Sequence, residues 1–165
     1  MSDGEGSHPL TVDVLVEAAG WPEEAAALCR RAAEAAYRDV ADPPEAASVT
    51  LLLADDATLQ ALNRDFRGKD GPTNVLSFPN DDPPMAGEDP FLGDMALARE
   101  TLEREAAAQG KILTDHLTHL VVHGMLHLMG MDHEEAQEAT AMEAREIAIL
   151  ETRFGIANPY QEETA

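Results

Sequence analysis

His123-Gly124-Met125-Leu126-His127-Leu128-Met129-Gly130-Met131-Asp132-His133 is the stretch on which the reading of this chain turns. Two histidines four positions apart on a helix project from the same face, about one turn from each other. Gly130 is the residue type that ends a helix in the left-handed conformation and turns the chain back. That reversal can bring His133 round to face His123 and His127. Three neutral imidazoles converging on one point make a site for a divalent cation. Zinc is the first candidate, at about 2.0–2.1 Å from each nitrogen and with a fourth position left for water. Nickel or another borderline ion suits the same donors. No cysteine stands nearby to close the set, which favours an open site over a structural one.

The spacing His-x-x-x-His-x-x-Gly-x-x-His is similar to the metzincin protease signature at every position but one. That signature needs a Glu directly after the first His as general base, and this chain has Gly124 there. Peptide cleavage is therefore a poor reading, although the metal site survives. The histidines at 116, 119, 123 and 127 fall within an arc of roughly 80° at about 100° per residue. Leucines, valines and methionines fill the other directions, so the helix from Asp115 to Met129, capped by Thr114, is expected to be central and buried. His119 is either a partner of the metal site or proton relay, or a hydrogen-bonded core residue. His116 and His8 carry no assigned role.

The chain has 165 residues, 44% hydrophobic and 26% charged, which suits one domain with a substantial core. No window is long and apolar enough for a membrane span. The segment Met1-Ser2-Asp3-Gly4-Glu5-Gly6 is acidic, opposite in sign to a secretory signal. Cys29 is the single cysteine, so there is no disulfide framework, and a cytoplasmic protein is expected. The net charge of −21 arises from 11 basic and 32 acidic residues. Taken globally it opposes nucleic-acid binding and favours a basic protein partner. Positive charge gathers locally in Arg64-Asp65-Phe66-Arg67-Gly68-Lys69.

Residues 1–9 read as a disordered N-terminus and 158–165 as a C-terminal tail, around one domain over 10–157. Leu10 to Val16 alternates well enough for a half-buried strand. Trp21-Pro22-Glu23-Glu24 opens a helix reaching about Tyr37. Ser48 to Leu53 is a second strand, and Asp55 or Asp56 caps a short helix carrying Leu59, Leu62 and Phe66. Arg67 to Pro72 cannot be regular structure. Thr73 to Pro79 reads as a third, buried strand, and Asn80 to Pro90 as an acidic surface loop. Leu92 to Ala98 is a fourth strand, in which Gly93 signals a bulge or close approach. A helix over 99–109 stops at Gly110, and a last helix runs from about Glu134 to Phe154 and ends at Gly155. The fold class is α+β, a small, mostly four-stranded sheet packed with about five helices.

Three blocks in order give the chain a more specific likeness. They are Leu62-Asn63-x-x-Phe66-Arg67-x-x-Asp70-x-Pro72-Thr73-Asn74-Val75-Leu76-Ser77-Phe78-Pro79, then Leu92-Gly93-Asp94, then the three-histidine stretch with Asp132. With the final Met-Glu-x-x-Glu-rich helix they cover roughly residues 50–157, and together they resemble the YbeY family of bacterial rRNA maturation factors, regarded as metal-dependent endoribonucleases. The resemblance implies metal ligands at His123, His127 and His133 and a basic residue important for activity at Arg67. Phe66 stands where a tyrosine is expected, losing a hydroxyl and keeping the ring.

By that resemblance the activity is cleavage of single-stranded RNA in 16S rRNA 3′-end maturation and ribosome quality control, with rRNA and the small ribosomal subunit as partners. A three-histidine cation can polarise a phosphoryl oxygen or lower the pKa of water. Arg67 offers a planar fork that matches phosphate oxygens. Asp132 either orients a ligating imidazole or serves the turn after Gly130. Asn74, Ser77 and Asp94 are candidates for shaping the groove or for packing. Two rivals stay open: a metal-dependent hydrolase of peptides or esters, and a non-catalytic ribosome assembly factor with a structural metal.

Overall fold

The computed structural model describes residues 10–40, 44–68, 73–131 and 136–160. In chain order the elements are β1 (Leu10–Val16), α1 (Ala25–Asp39), β2 (Ala47–Ala54), α2 (Asp56–Arg67), β3 (Val75–Pro79), β4 (Phe91–Ala98), α3 (Arg99–Gln109), α4 (Leu113–Leu128) and α5 (Ala136–Ile149). A π-helical turn, Leu150–Phe154, continues α5. The four strands form one sheet in the order β1-β2-β4-β3. β1, β2 and β4 run parallel, and β3 pairs antiparallel with β4. The α+β expectation of a small four-stranded sheet with about five helices therefore holds.

Alternation decides the strands. Leu10 and Val12 of β1 are buried while Thr11 and Asp13 are exposed. Val49, Leu51 and Leu53 of β2 and Met95 and Leu97 of β4 join the large core formed with α1 and α4. The opposite face carries a smaller cluster, where Leu59 of α2 packs on Ala54, Leu76, Ala96 and Ala98. Asp55 caps α2 by accepting the Thr58 backbone N–H at 2.9 Å, as short polar residues do at helix starts. Gly68, at φ +69°, closes the other end of α2 through its N–H to the Arg64 carbonyl. Among the described residues no helix is long and apolar enough to cross a membrane.

Four local expectations change. Arg67 does not open an irregular segment but is the last residue of α2, which ends at the left-handed Gly68. β3 is not buried throughout, since only Leu76 of its five residues is buried. It is an edge strand with β4 as its neighbour in the sheet, and an edge position is where its closing Pro79 is tolerated. Thr114 is not the cap of α4. That helix starts at Leu113 after an extended Ile112, without a side-chain cap, because Leu113 already packs against the core. The Thr114 carbonyl instead accepts the Thr118 hydroxyl at 2.8 Å. Helix α1 begins at Ala25, and Glu23 and Glu24 form the turn leading into it.

Two glycines sit where an added side chain would meet close neighbours. Gly124 of α4 lies against the sheet, and a Cβ there would stand 2.6 Å from Met95 Cε and 3.1 Å from Ser77 Oγ. Gly93 has φ +144°, and a Cβ there would stand 2.4 Å from the Phe78 carbonyl oxygen. The β2–β4 register shifts beside it, between Ser48 and Thr50, so Gly93 marks both a bulge and a close approach. Gly93→Ala is expected to destabilise the fold by roughly 2–4 kcal/mol, from backbone strain and overpacking against main chain that cannot swing aside. Urea denaturation at neutral pH checks this, read as a lower midpoint at constant slope.

Candidate metal centre

From His116 to Leu128, α4 is buried at every residue except His123 and His127, which are half-buried. They sit one turn apart on one line of the helix, so α4 opens toward the surface where the paired histidines stand. The His123 side chain is 27% exposed. Beyond α4, Gly130 takes φ +102°, and the Met131 N–H returns to the Leu126 carbonyl at 3.0 Å. The chain thus reverses after the helix, as the glycine implied.

Directly behind His123 lies Glu146 of α5, its side chain without exposed surface. Glu146 Oε2 accepts from His123 Nδ1 at 2.6 Å. Oε1 accepts from His119 Nε2 at 3.0 Å and from the Tyr160 hydroxyl at 2.5 Å. An ionised carboxylate only accepts hydrogen bonds, so both imidazoles are assigned as donors to it. His123 then carries its proton on Nδ1 and its lone pair on Nε2, the tautomer that a metal-ligating histidine needs. His119 is accordingly a hydrogen-bonded core residue that shares the Glu146 carboxylate with His123. Its Nδ1 is buried with no hydrogen-bond partner among the described residues.

Glu146 was not singled out from the sequence. Its signal is faint: with Met142 and Ile149 it forms the buried stripe of α5, a single acid at helical spacing among apolar residues. A charged residue at such a position is rarely buried unless paired. Arg145 turns the helix the right way, since its Nη1 donates to the Asp39 carbonyl at 2.7 Å and to Asp39 Oδ2 at 3.0 Å. His116, given no role, pairs through Nε2 with Glu105 Oε1 at 2.8 Å. The same oxygen accepts Asn74 Nδ2 at 3.0 Å, which makes Asn74 a link between β3 and α3. Burial lowers the pKa of His116, and its bond and attraction to Glu105 work against that.

Ser77 faces α4 beside Gly124. Asp94 lies elsewhere, in a groove of about 420 Å³ lined by Leu52, Leu62, Phe66 and Phe78, where burial raises its carboxyl pKa. Arg67 is the exposed last residue of α2. The Phe66 ring beside it stands edge-on to Phe78 at 5.8 Å. Asp132 and His133 lie outside the described residues, as do residues 69–72 of the loop after Arg67. Among the described residues no group of three or more His, Cys, Asp or Glu side chains could hold a metal ion. What they do supply is a histidine pair at ligand spacing and the buried carboxylate that sets the tautomer of one of them.

Burial alone would push the Glu146 carboxyl up. The hydrogen bonds from His119 and His123, the attraction to His123 and the Tyr160 hydroxyl outweigh it and hold the group down from 4.5 to about 2. Because the folded value lies below the free one, ionised Glu146 contributes stability that is fully present above pH 4.5 and lost as pH falls toward 2. Denaturation of the metal-free protein across that window is expected to show a loss on the order of 3 kcal/mol from this group. Glu146→Gln is expected to be less stable at neutral pH and to lack that acid-dependent component.

The family model described as Endoribonuclease YbeY matches residues 17–153. An Endoribonuclease YbeY of Parvibaculum lavamentivorans is 50% identical over 159 residues, covering 92% of this chain and 85% of its own. One from Paramagnetospirillum magneticum is 47% identical over 163 residues, covering 93% and 99%. A solution structure of a Thermotoga maritima protein shares the fold, with TM-score 0.54 at 21% identity over 92% of this chain and all of that one. A match that runs from the end of β1 to the π-helical turn, with relatives near half identical over almost the whole length, places the chain in the YbeY endoribonuclease family.

Proposed function

We propose that the protein is a metal-dependent endoribonuclease that cuts single-stranded RNA during maturation of the 16S rRNA 3′ end and in ribosome quality control. The observation that carries the chemistry is the His123–Glu146 pair. A buried carboxylate that fixes the Nδ1–H tautomer presents the Nε2 lone pair at a half-exposed position, and carboxylate–histidine pairs of this kind support metal ligands. His127 stands one turn on, and His133 completes the ligand set in this reading. Zinc is the first candidate for the ion, with nickel or another divalent cation possible at the same donors.

A divalent cation held there would supply charge neutralisation at a phosphoryl oxygen. The chain's own residues do the rest. His123 is held in orientation by Glu146, and burial of α4 keeps the ligand pair rigid. Arg67 binds and orients the scissile phosphate through its planar fork. Position 124 disfavours peptide cleavage, because it is a glycine where the metzincin signature has its general base. A side chain there would also have to displace the end of Met95 and crowd Ser77 Oγ. Phosphodiester cleavage depends more on neutralising charge than on a strong base. The net charge of −21 opposes RNA at long range, so binding depends on the local cationic groups and favours a ribosomal setting with basic proteins close by. The small ribosomal subunit in the cytoplasm is the site of action in this reading.

Labelled single-stranded RNA and casein are to be offered in parallel to zinc-loaded and chelator-stripped protein. RNA cleavage that disappears on stripping and returns with zinc is the expected result. His123→Ala and Arg67→Ala are each expected to lower the rate roughly 100-fold or more, with Arg67→Ala keeping its zinc and its fold. Casein cleavage without RNA cleavage would sink the proposal. No RNA cleavage by the zinc-loaded protein, with a folded Arg67→Ala that still binds the ribosomal subunit and a His123→Ala that only unfolds, would transfer the reading to a non-catalytic assembly factor.

A further inference from the structure

Tyr160 reaches Glu146 from a part of the chain remote from the histidine helix. After the π-helical turn Gly155 adopts φ +66°, and the Ile156 N–H returns to the Leu150 carbonyl at 3.0 Å. The strap that follows has anchors of its own. Lys111 Nζ donates to the Pro159 carbonyl at 3.3 Å, and the Tyr160 N–H donates to Asn158 Oδ1 at 2.8 Å. Together with the start of α4 it encloses a cavity of about 630 Å³ that His116 and His119 also line. The Tyr160 ring stands edge-on to His119 with centroids 5.2 Å apart. Its hydroxyl bonds Glu146 Oε1 at 2.5 Å and lies 3.2 Å from His119 Nε2.

The carboxylate of Glu146 is a terminal group whose last torsion is broad and nearly two-fold. One donor at Oε2 does not fix it. Two donors at Oε1, one from α4 and one from the strap, set the plane in which Oε2 meets His123. The phenol donates to an ionised carboxylate, and charge-assisted hydrogen bonds of this kind are stronger than neutral ones, so it restrains that plane. We propose that Tyr160 is a positioning residue for the metal-ligating His123, acting through the buried carboxylate of Glu146, so that docking of the segment 156–160 sets how firmly the ion is held. The inference rests on the metal reading of the preceding section.

Tyr160→Phe keeps the ring against His119 and deletes only the hydroxyl. The full-length chain is to be titrated with Zn2+ against a chromophoric chelator, and the imidazole N–H resonances of the metal-free protein are to be recorded by NMR. The expected result is zinc binding roughly 3- to 30-fold weaker than in the unsubstituted protein, short of or overlapping the loss for a direct partner of a ligand. The His123 Nδ1–H resonance is expected to shift, and the metal-free melting curve to fall modestly, since the hydroxyl is one of three donors to the buried Glu146 carboxylate. A purely structural tyrosine would move the melting curve and leave zinc affinity and that resonance alone, which would overturn the proposal. Lys111→Met removes the strap's anchor at Pro159 without touching the network, and is expected to weaken zinc in the same direction. It carries the test if Tyr160→Phe does not fold, and zinc bound as tightly by Lys111→Met as by the unsubstituted chain would then overturn the proposal. Zinc held equally by all three folded chains overturns this inference alone, whereas no zinc uptake by the unsubstituted chain overturns the metal reading and this one with it.

Discussion

A carboxylate with no exposed surface is costly to bury, and the arrangement around Glu146 follows from that cost. Removing an ion from water costs several kcal/mol even after relaxation, and only close partners with good geometry offset it. Glu146 has three donors, from His119, His123 and Tyr160. They come from α4 and from the strap beyond the π-helical turn, while Glu146 itself belongs to α5. One buried charge thus ties together three segments far apart in sequence. The same bonds that make the burial tolerable also decide which nitrogen of His123 carries the proton.

The sheet sets where that network sits. α4 lies close enough to β3 and β4 that a side chain at position 124 would have to displace the end of Met95 and crowd Ser77 Oγ. Such a contact buries the helix on nearly every side and leaves His123 and His127 as its opening to the surface. Packing and chemistry are therefore one constraint. The glycine that lies against the sheet also stands where the metzincin signature has its general base, so one residue bears on both packing and chemistry.

The histidine stripe of α4 shows how one helical repeat can be divided by its neighbours. His116 meets Glu105 of α3, His119 and His123 share Glu146 of α5, and His127 lies nearest the reversal at Gly130. Tyr160 stays protonated as a donor, since burial and then its bond to Glu146 raise its pKa. The histidine rings are alike in chemistry and in spacing. Their partners, supplied by other elements, are what separate a core residue from a candidate ligand.

Local sequence was enough for the strands, the helices and most of their ends. Alternation in Leu10–Val16, the Asp55 cap and the glycines at 110 and 155 act within a few residues, where stereochemistry alone dictates the outcome. The ligand spacing of His123 and His127 was legible for the same reason, being a property of one helix. The edge placement of β3, the start of α4 at Leu113 and the pairing of Glu146 with His123 were not. Each depends on which distant segment lies alongside, and an acid among apolar residues of α5 has no visible partner until α4 and Tyr160 are packed against it. What the sequence determined by itself was the periodicity of the histidines along α4. Only the tertiary structure decided the proton position and orientation of His123, because those are set by a hydrogen bond to Glu146 that exists once burial has excluded water as the alternative partner.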